Sequence, residues 1–131
     1  MKTLWLVAVL ACGTFASAQN AEYPFDSGNA FLRLCSTVEK EQRTNIETQH
    51  ALGCIFYIAG FVQGVEVGNT TTKVQMKQTT EMPFCRPDKV ENAQLVRVVL
   101  KYIRENPEDA HQDTMLVAMW AFQKAFPCLG K

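Results

Sequence analysis

The chain opens on an unbroken apolar run, residues 4–10, behind a lone Lys2, and beyond residue 18 its hydrophobic positions fall into helical spacing. Pro24 and the cluster Asp26-Ser27-Gly28-Asn29 bar an early helix. Phe31, Leu34, Cys35 and Val38 then recur at intervals of three and four, which predicts a first helix over 29–42 with one apolar face. The charges that close it, Glu39, Lys40, Glu41 and Arg43, read as a solvated face. A second helix is predicted over 48–67. Its middle, with Ile55, Phe56, Tyr57, Ile58, Phe61 and Val62, is apolar nearly all round, the pattern of a central, buried helix. Gly53, Gly60 and Gly64 interrupt it, each at about 1 kcal/mol relative to alanine. With Tyr57 they share one stripe, so another backbone is expected to approach closely there.

Residues 68–81 are polar and threonine-rich. β-Branched residues lose rotamer freedom in a helix, so a long loop is expected. Pro87 is expected to open a third helix, with Val90, Leu95, Val98, Val99 and Tyr102 on its apolar face and Asn106-Pro107 as its stop. A fourth helix is predicted over 112–125, with Asp113 in its first turn and an apolar stripe beginning at Leu116, Met119 and Trp120. No strand-like alternation of useful length occurs. The expected fold is all-α, a small disulfide-braced bundle of about four main helices, forming a single domain over 19–131.

The opening run belongs to a different element. Lys2, the apolar core and Ala16-Ser17-Ala18 have the order of a secretory signal peptide over 1–18, cut after Ala18. Cys12 leaves with it. Val9-Leu10-Ala11-Cys12 also faintly resembles a lipoprotein site, which would lipidate Cys12 behind an unusually short leader. Removal at Ala18 leaves 113 residues with twelve basic side chains against thirteen acidic. That balance excludes a basic nucleic-acid surface and a polybasic membrane anchor. The longest largely apolar stretch of the mature chain, 51–62, falls short of the roughly 18 residues of a span, so no transmembrane segment is expected there. The chain should therefore work in the periplasm or outside the cell.

Four cysteines remain: Cys35, Cys54, Cys85 and Cys128. No close pair has zinc-ligand spacing, and a thiol nucleophile would leave three of them unexplained. Two structural disulfides are the simplest use, and four cysteines allow three pairings. Cys35–Cys54 and Cys85–Cys128 are favoured, the first stapling two antiparallel helices near their turn, the second joining the start of helix three to the end of helix four. Neither His50 nor His111 stands in a metal or triad motif, no serine sits in G-x-S-x-G, and no phosphate loop follows Gly60 and Gly64. Nothing here points to catalysis, a metal or a cofactor.

Several short motifs resemble the Rap/Tai immunity proteins of type VI secretion. Cys54-Ile-Phe-Tyr57-Ile-Ala-Gly60 is similar to their C-x-x-Y-x-x-G, and Phe84-Cys85-Arg86-Pro87 to their F-C-x-P. Gln94, Val98-Val99-Leu100-Lys101-Tyr102-Ile103 and Asn106-Pro107-Glu108 resemble Q…V-x-x-Y-L…H-P-E, with Asn106 where histidine is common. Ala118-Met119…Ala121-Phe122…Phe126-Pro127-Cys128 resembles A-L…F-P-C. The resemblance implies an all-helical periplasmic protein, often a homodimer, that blocks a peptidoglycan amidase by steric occlusion and does no chemistry of its own. The stretch 68–82 has no counterpart in these motifs. Variable polar loops carry specificity, so Asn69, Thr70, Thr71, Thr72, Lys73, Gln75, Lys77 and Gln78 form a candidate partner-binding loop. Two other classes fit the same chain: a small-molecule or lipid carrier with a cavity lined by the second helix, and a periplasmic chaperone that opens at low pH.

Overall fold

A computed structural model describes residues 24–77 and 81–128. The expected signal peptide over 1–18, its cut after Ala18 and Cys12 lie outside the described residues. Four α-helices form: α1 Gly28–Cys35, α2 Asn45–Met76, α3 Asn92–Glu105 and α4 Thr114–Ala125. Short 3-10 segments follow α1 (Ser36–Glu39) and precede α4 (Pro107–Asp109). Among the described residues there is no strand, and the fold is all-α.

Ser27 starts α1 by accepting from the Ala30 amide at 3.3 Å. The helix is shorter than expected because side chains take over its last carbonyls. The Ser36 hydroxyl donates to Leu32 O at 2.6 Å and that of Thr37 to Leu34 O at 2.9 Å. Arg43 donates to Thr37 O at 2.5 Å and to Val38 O at 2.6 Å, which ends the 3-10 segment. Gly28 is needed for a close approach: a Cβ there would stand 3.0 Å from the Ala110 carbonyl oxygen. Its amide donates to Gln112 O, and that of Asn29 to Ala110 O, tying the start of α1 to the turn before α4.

The largest correction concerns α2. A capping box starts it: Thr44 accepts from the Glu47 amide, and the Glu47 carboxylate accepts from the Thr44 amide. It then runs 32 residues, through most of the stretch expected to be a loop. The threonines are accommodated within it, their hydroxyls satisfied by bonds back along the helix, Thr70 to Glu66 O and Thr72 to Gly68 O, each at 2.9 Å. It stops at Lys77, which adopts a left-handed conformation at φ 51°.

Nor does Pro87 open α3. The Cys85 amide donates to Phe126 O, the Cys85–Cys128 bridge holds the same segment, and Pro87 begins a turn closed by the Val90 amide. The helix starts five residues later, at Asn92. In α4, Asp113 is the cap and not a first-turn residue: its Oδ1 accepts from Met115 at 2.8 Å and Leu116 at 3.4 Å. The buried stripe is Thr114, Val117, Ala118, Ala121 and Phe122, one step round from the expected Leu116, Met119 and Trp120, of which Leu116 is exposed.

The core gathers Phe31, Ile58, Val62, Phe84, Leu95, Val99, Leu100, Ile103, Val117 and Phe122. Both favoured disulfides are present. Cys35–Cys54 joins α1 to α2 with Cα atoms 5.7 Å apart, and Cys85–Cys128 joins the segment before α3 to the chain after α4 at 4.9 Å. The second bridge therefore clamps a linker, not the start of α3.

Candidate functional site

α2 does not behave as a central helix. Only Ala51, Cys54, Ile58, Ala59 and Val62 are buried. On the other side Phe56 is 72% exposed, Val74 72%, Val67 65% and Ile46 64%. A helix apolar all round has been placed at the surface, with one face in the core and one in solvent. By length and composition alone it is also the one span-like helix among the described residues, although just 28% of its apolar window is buried.

The glycine stripe faces open space among the described residues. A Cβ at Gly53, Gly60, Gly64 or Gly68 would meet nothing within 4 Å. No backbone among the described residues approaches them. Tyr57 parts company with the glycines: its ring stacks on Phe25 with centroids 4.6 Å apart and tilts against Phe31 at 6.4 Å.

Of the candidate partner-binding residues, Asn69, Thr70, Thr71, Thr72, Lys73 and Gln75 sit on the last two turns of α2, and Lys77 caps it; Gln78 lies outside the described residues. These turns run on beyond the last buried residue, Val62. Two cross-links brace them. Asn69 Nδ2 donates to Glu81 O at 3.2 Å, and Arg86 meets the Glu66 carboxylate at 3.2 Å. The result is a stiff helical projection with polar and cationic side chains, in place of a loop.

A second feature escaped the sequence reading. Tyr102, Asn106, Asp109, Trp120, Gln123 and Lys124 line a shallow, open depression of about 600 Å³ where α3 meets α4. The Tyr102 hydroxyl donates to Asp109 Oδ2 at 2.8 Å, and Lys124 Nζ lies 5.6 Å from the centre of the Tyr102 ring. Burial, then the bond to Asp109, pushes the phenol up to about 12. The Asn106-Pro107 break was the available signal, since it folds Asp109 back onto the helix that carries Tyr102.

His50 and His111 are both exposed and far apart in sequence; His111 meets the Gln112 side chain at 2.8 Å. Among the described residues no three His, Cys, Asp or Glu side chains converge as a metal site would require. What the surface does present is a long uncharged helix face and a braced helix end, which suit contact with another macromolecule. The family model for Rap1a immunity proteins matches residues 27–128 of the chain. No curated protein and no solved structure matches.

Proposed function

The chain belongs to the Rap1a immunity protein family, whose members are toxin-immunity proteins, and we propose that it protects its cell by capping a peptidoglycan amidase. The family match across nearly all the described residues carries this reading. The mechanism is steric: the bound chain covers the amidase groove and excludes peptidoglycan, with no bond made or broken by the immunity protein.

The scaffold suits that work. Two disulfides and a 32-residue helix fix the backbone before binding. Little conformational entropy is then lost when the toxin docks. The braced end of α2, carrying Asn69, Thr70, Lys73 and Lys77, is the part of the toxin-facing surface that sets partner choice. The disulfides suit an oxidising compartment, so the chain acts in the periplasm after removal of residues 1–18. The proposal extends to a second copy of the chain as a partner.

The experiment is a titration of the mature, oxidised chain into a type VI peptidoglycan amidase from the same strain, reading muropeptide release. Activity should fall to background at stoichiometric chain. Replacing Lys73 and Lys77 together with glutamate should weaken inhibition at least tenfold without changing the melting temperature. Full amidase activity at saturating chain, for every such amidase of the strain, rejects the reading.

A further inference from the structure

We propose that the depression between α3 and α4 is a saccharide site, which takes a neutral chain of N-acetylated hexosamines laid against the indole of Trp120. The inference goes beyond the toxin reading and needs no amidase; only the choice of sugar rests on the periplasmic location proposed above.

Trp120 carries the site. Its side chain packs partly against the core. Among the described residues no other ring stacks on it, and its Nε1–H has no hydrogen-bond partner. An indole held in this way offers a flat apolar face with a donor at its edge. The C–H face of a pyranose ring is also flat and apolar, and its hydroxyl and acetamide groups stand around the rim. The other lining residues supply partners for those groups. Asn106 Nδ2 donates to Tyr102 O at 2.7 Å, which leaves Oδ1 as a fixed acceptor. Asp109 Oδ2 accepts from the Tyr102 hydroxyl, which leaves Oδ1 as a second. Gln123 is exposed, makes no hydrogen bond through its side chain among the described residues, and offers one donor group and one acceptor. An acetamide needs one of each.

Charge narrows the ligand. Asp109 and Lys124 are the ionised side chains of the lining, one of each sign. The Lys124 ammonium is already engaged, by the Tyr102 ring at 5.6 Å and the Glu105 carboxylate at 3.8 Å. A phosphate or a polycation would meet as much repulsion as attraction, so the ligand is neutral. Shape narrows it further. A volume of about 600 Å³ is that of a small-ligand site. A compact apolar ligand needs an enclosed cavity, whereas this depression is shallow and open, so its occupant lies across it with both ends in water. A segment of a sugar chain does so. The site is also preformed: the Tyr102–Asp109 and Asn106–Tyr102 bonds fix the turn that carries two of its acceptors, and little order is lost on binding. The oxidising compartment that suits the disulfides holds such a polymer, the glycan of the cell wall.

The test reads Trp120 itself. Trp5 lies within residues 1–18, so the mature chain has a single tryptophan and its emission reports on the site. Titration of the mature, oxidised chain with tetra-N-acetylchitotetraose should shift that emission to the blue and saturate, with a Kd of about 1 mM or tighter. Cellotetraose, which has the same linkage and no acetamide, should bind roughly tenfold more weakly, because polar groups of the site go unpaired. Gln123→Ala should weaken binding of the tetrasaccharide roughly fivefold at an unchanged melting temperature, since the residue is exposed. Lys124→Gln should leave binding unchanged, as a neutral ligand requires. The absence of any shift up to about 10 mM tetrasaccharide overturns the proposal, and so does equal binding of cellotetraose, or binding lost in Lys124→Gln and kept in Gln123→Ala. It is overturned too if the depression belongs to a protein: amidase inhibition lost in Gln123→Ala, with no sugar shift in the wild type. Co-sedimentation with purified sacculi decides the source of the sugar: retention makes it the wall, and tetrasaccharide binding without retention makes it a soluble oligosaccharide. Sugar binding without amidase inhibition would leave this inference standing and sink only the toxin reading; inhibition without sugar binding would do the reverse.

Discussion

Arg104 on α3 grips Glu39, at the end of the 3-10 segment, with two parallel contacts: Nη1 to Oε1 at 2.9 Å and Nη2 to Oε2 at 2.5 Å. The pair joins residues 65 apart in sequence. Glu39, one of the exposed charges read as a solvated face at the end of the first helix, thus also makes a structural contact. The hydrogen bond from Arg104 holds the Glu39 carboxyl below its usual range.

That lowering sets a pH window. A carboxyl with a depressed folded pKa contributes stability above its ordinary value of 4.5 and loses it as pH falls through the folded value. Glu47, held down to about 2 by Lys40 and then by the Thr44 amide, behaves alike. The melting temperature should be level from pH 5 to 8 as far as these groups decide it, and fall between pH 4.5 and 2. Arg104→Ala should cost about 1 kcal/mol or less, since both partners are partly exposed, and should remove Glu39's share of the acid loss. Melts across pH for both proteins check this; an unchanged acid profile in the variant contradicts it.

Tyr102 should titrate late. Its folded value of about 12 lies above the ordinary 10, so its contribution is complete below pH 10 and is lost as pH rises through 12. Ultraviolet titration of phenolate absorbance should show one tyrosine ionising near 12, absent in Tyr102→Phe. Asp109→Asn should bring that step back toward 10, because the anionic acceptor is gone.

The two disulfides should open in order. Cys35 and Cys54 are fully buried, whereas Cys85 and Cys128 are both exposed. Thiol exchange requires access to sulfur. Partial reduction followed by alkylation and mass spectrometry should label Cys85 and Cys128 first. By loop length, the bridges contribute about 3 kcal/mol for a separation of 19 residues and about 4 for one of 43. Labelling of Cys35 and Cys54 first would contradict the burial pattern.

Thr114 is a destabilised point in the core. Its side chain is fully buried and its hydroxyl has no hydrogen-bond partner among the described residues. Thr114→Val keeps the shape and removes the stranded oxygen, so stability should rise by about 1 kcal/mol. The check is urea unfolding, with a higher midpoint and an unchanged slope.

Helical spacing of Phe31, Cys35 and Val38, the stop at Asn106-Pro107 and the absence of strand alternation determined the all-α class from sequence alone. The four cysteines, placed near helix ends that hairpins bring together, pointed to the pairing that the structure contains. Those readings succeed because period and turn chemistry are local. The tertiary structure alone decided which side of α2 enters the core. A helix apolar on every side has no amphipathic direction, so nothing within it distinguishes Ile58, which is buried, from Phe56, which is not. Likewise the threonines of 70–72 are weak helix formers one at a time, yet they extend an element already nucleated and packed below them, where propagation is cheap, and the hydroxyls of Thr70 and Thr72 are satisfied by carbonyls a turn behind. The depression between α3 and α4 depends on how those helices pack, and Tyr102 and Trp120 come to line it only once they do.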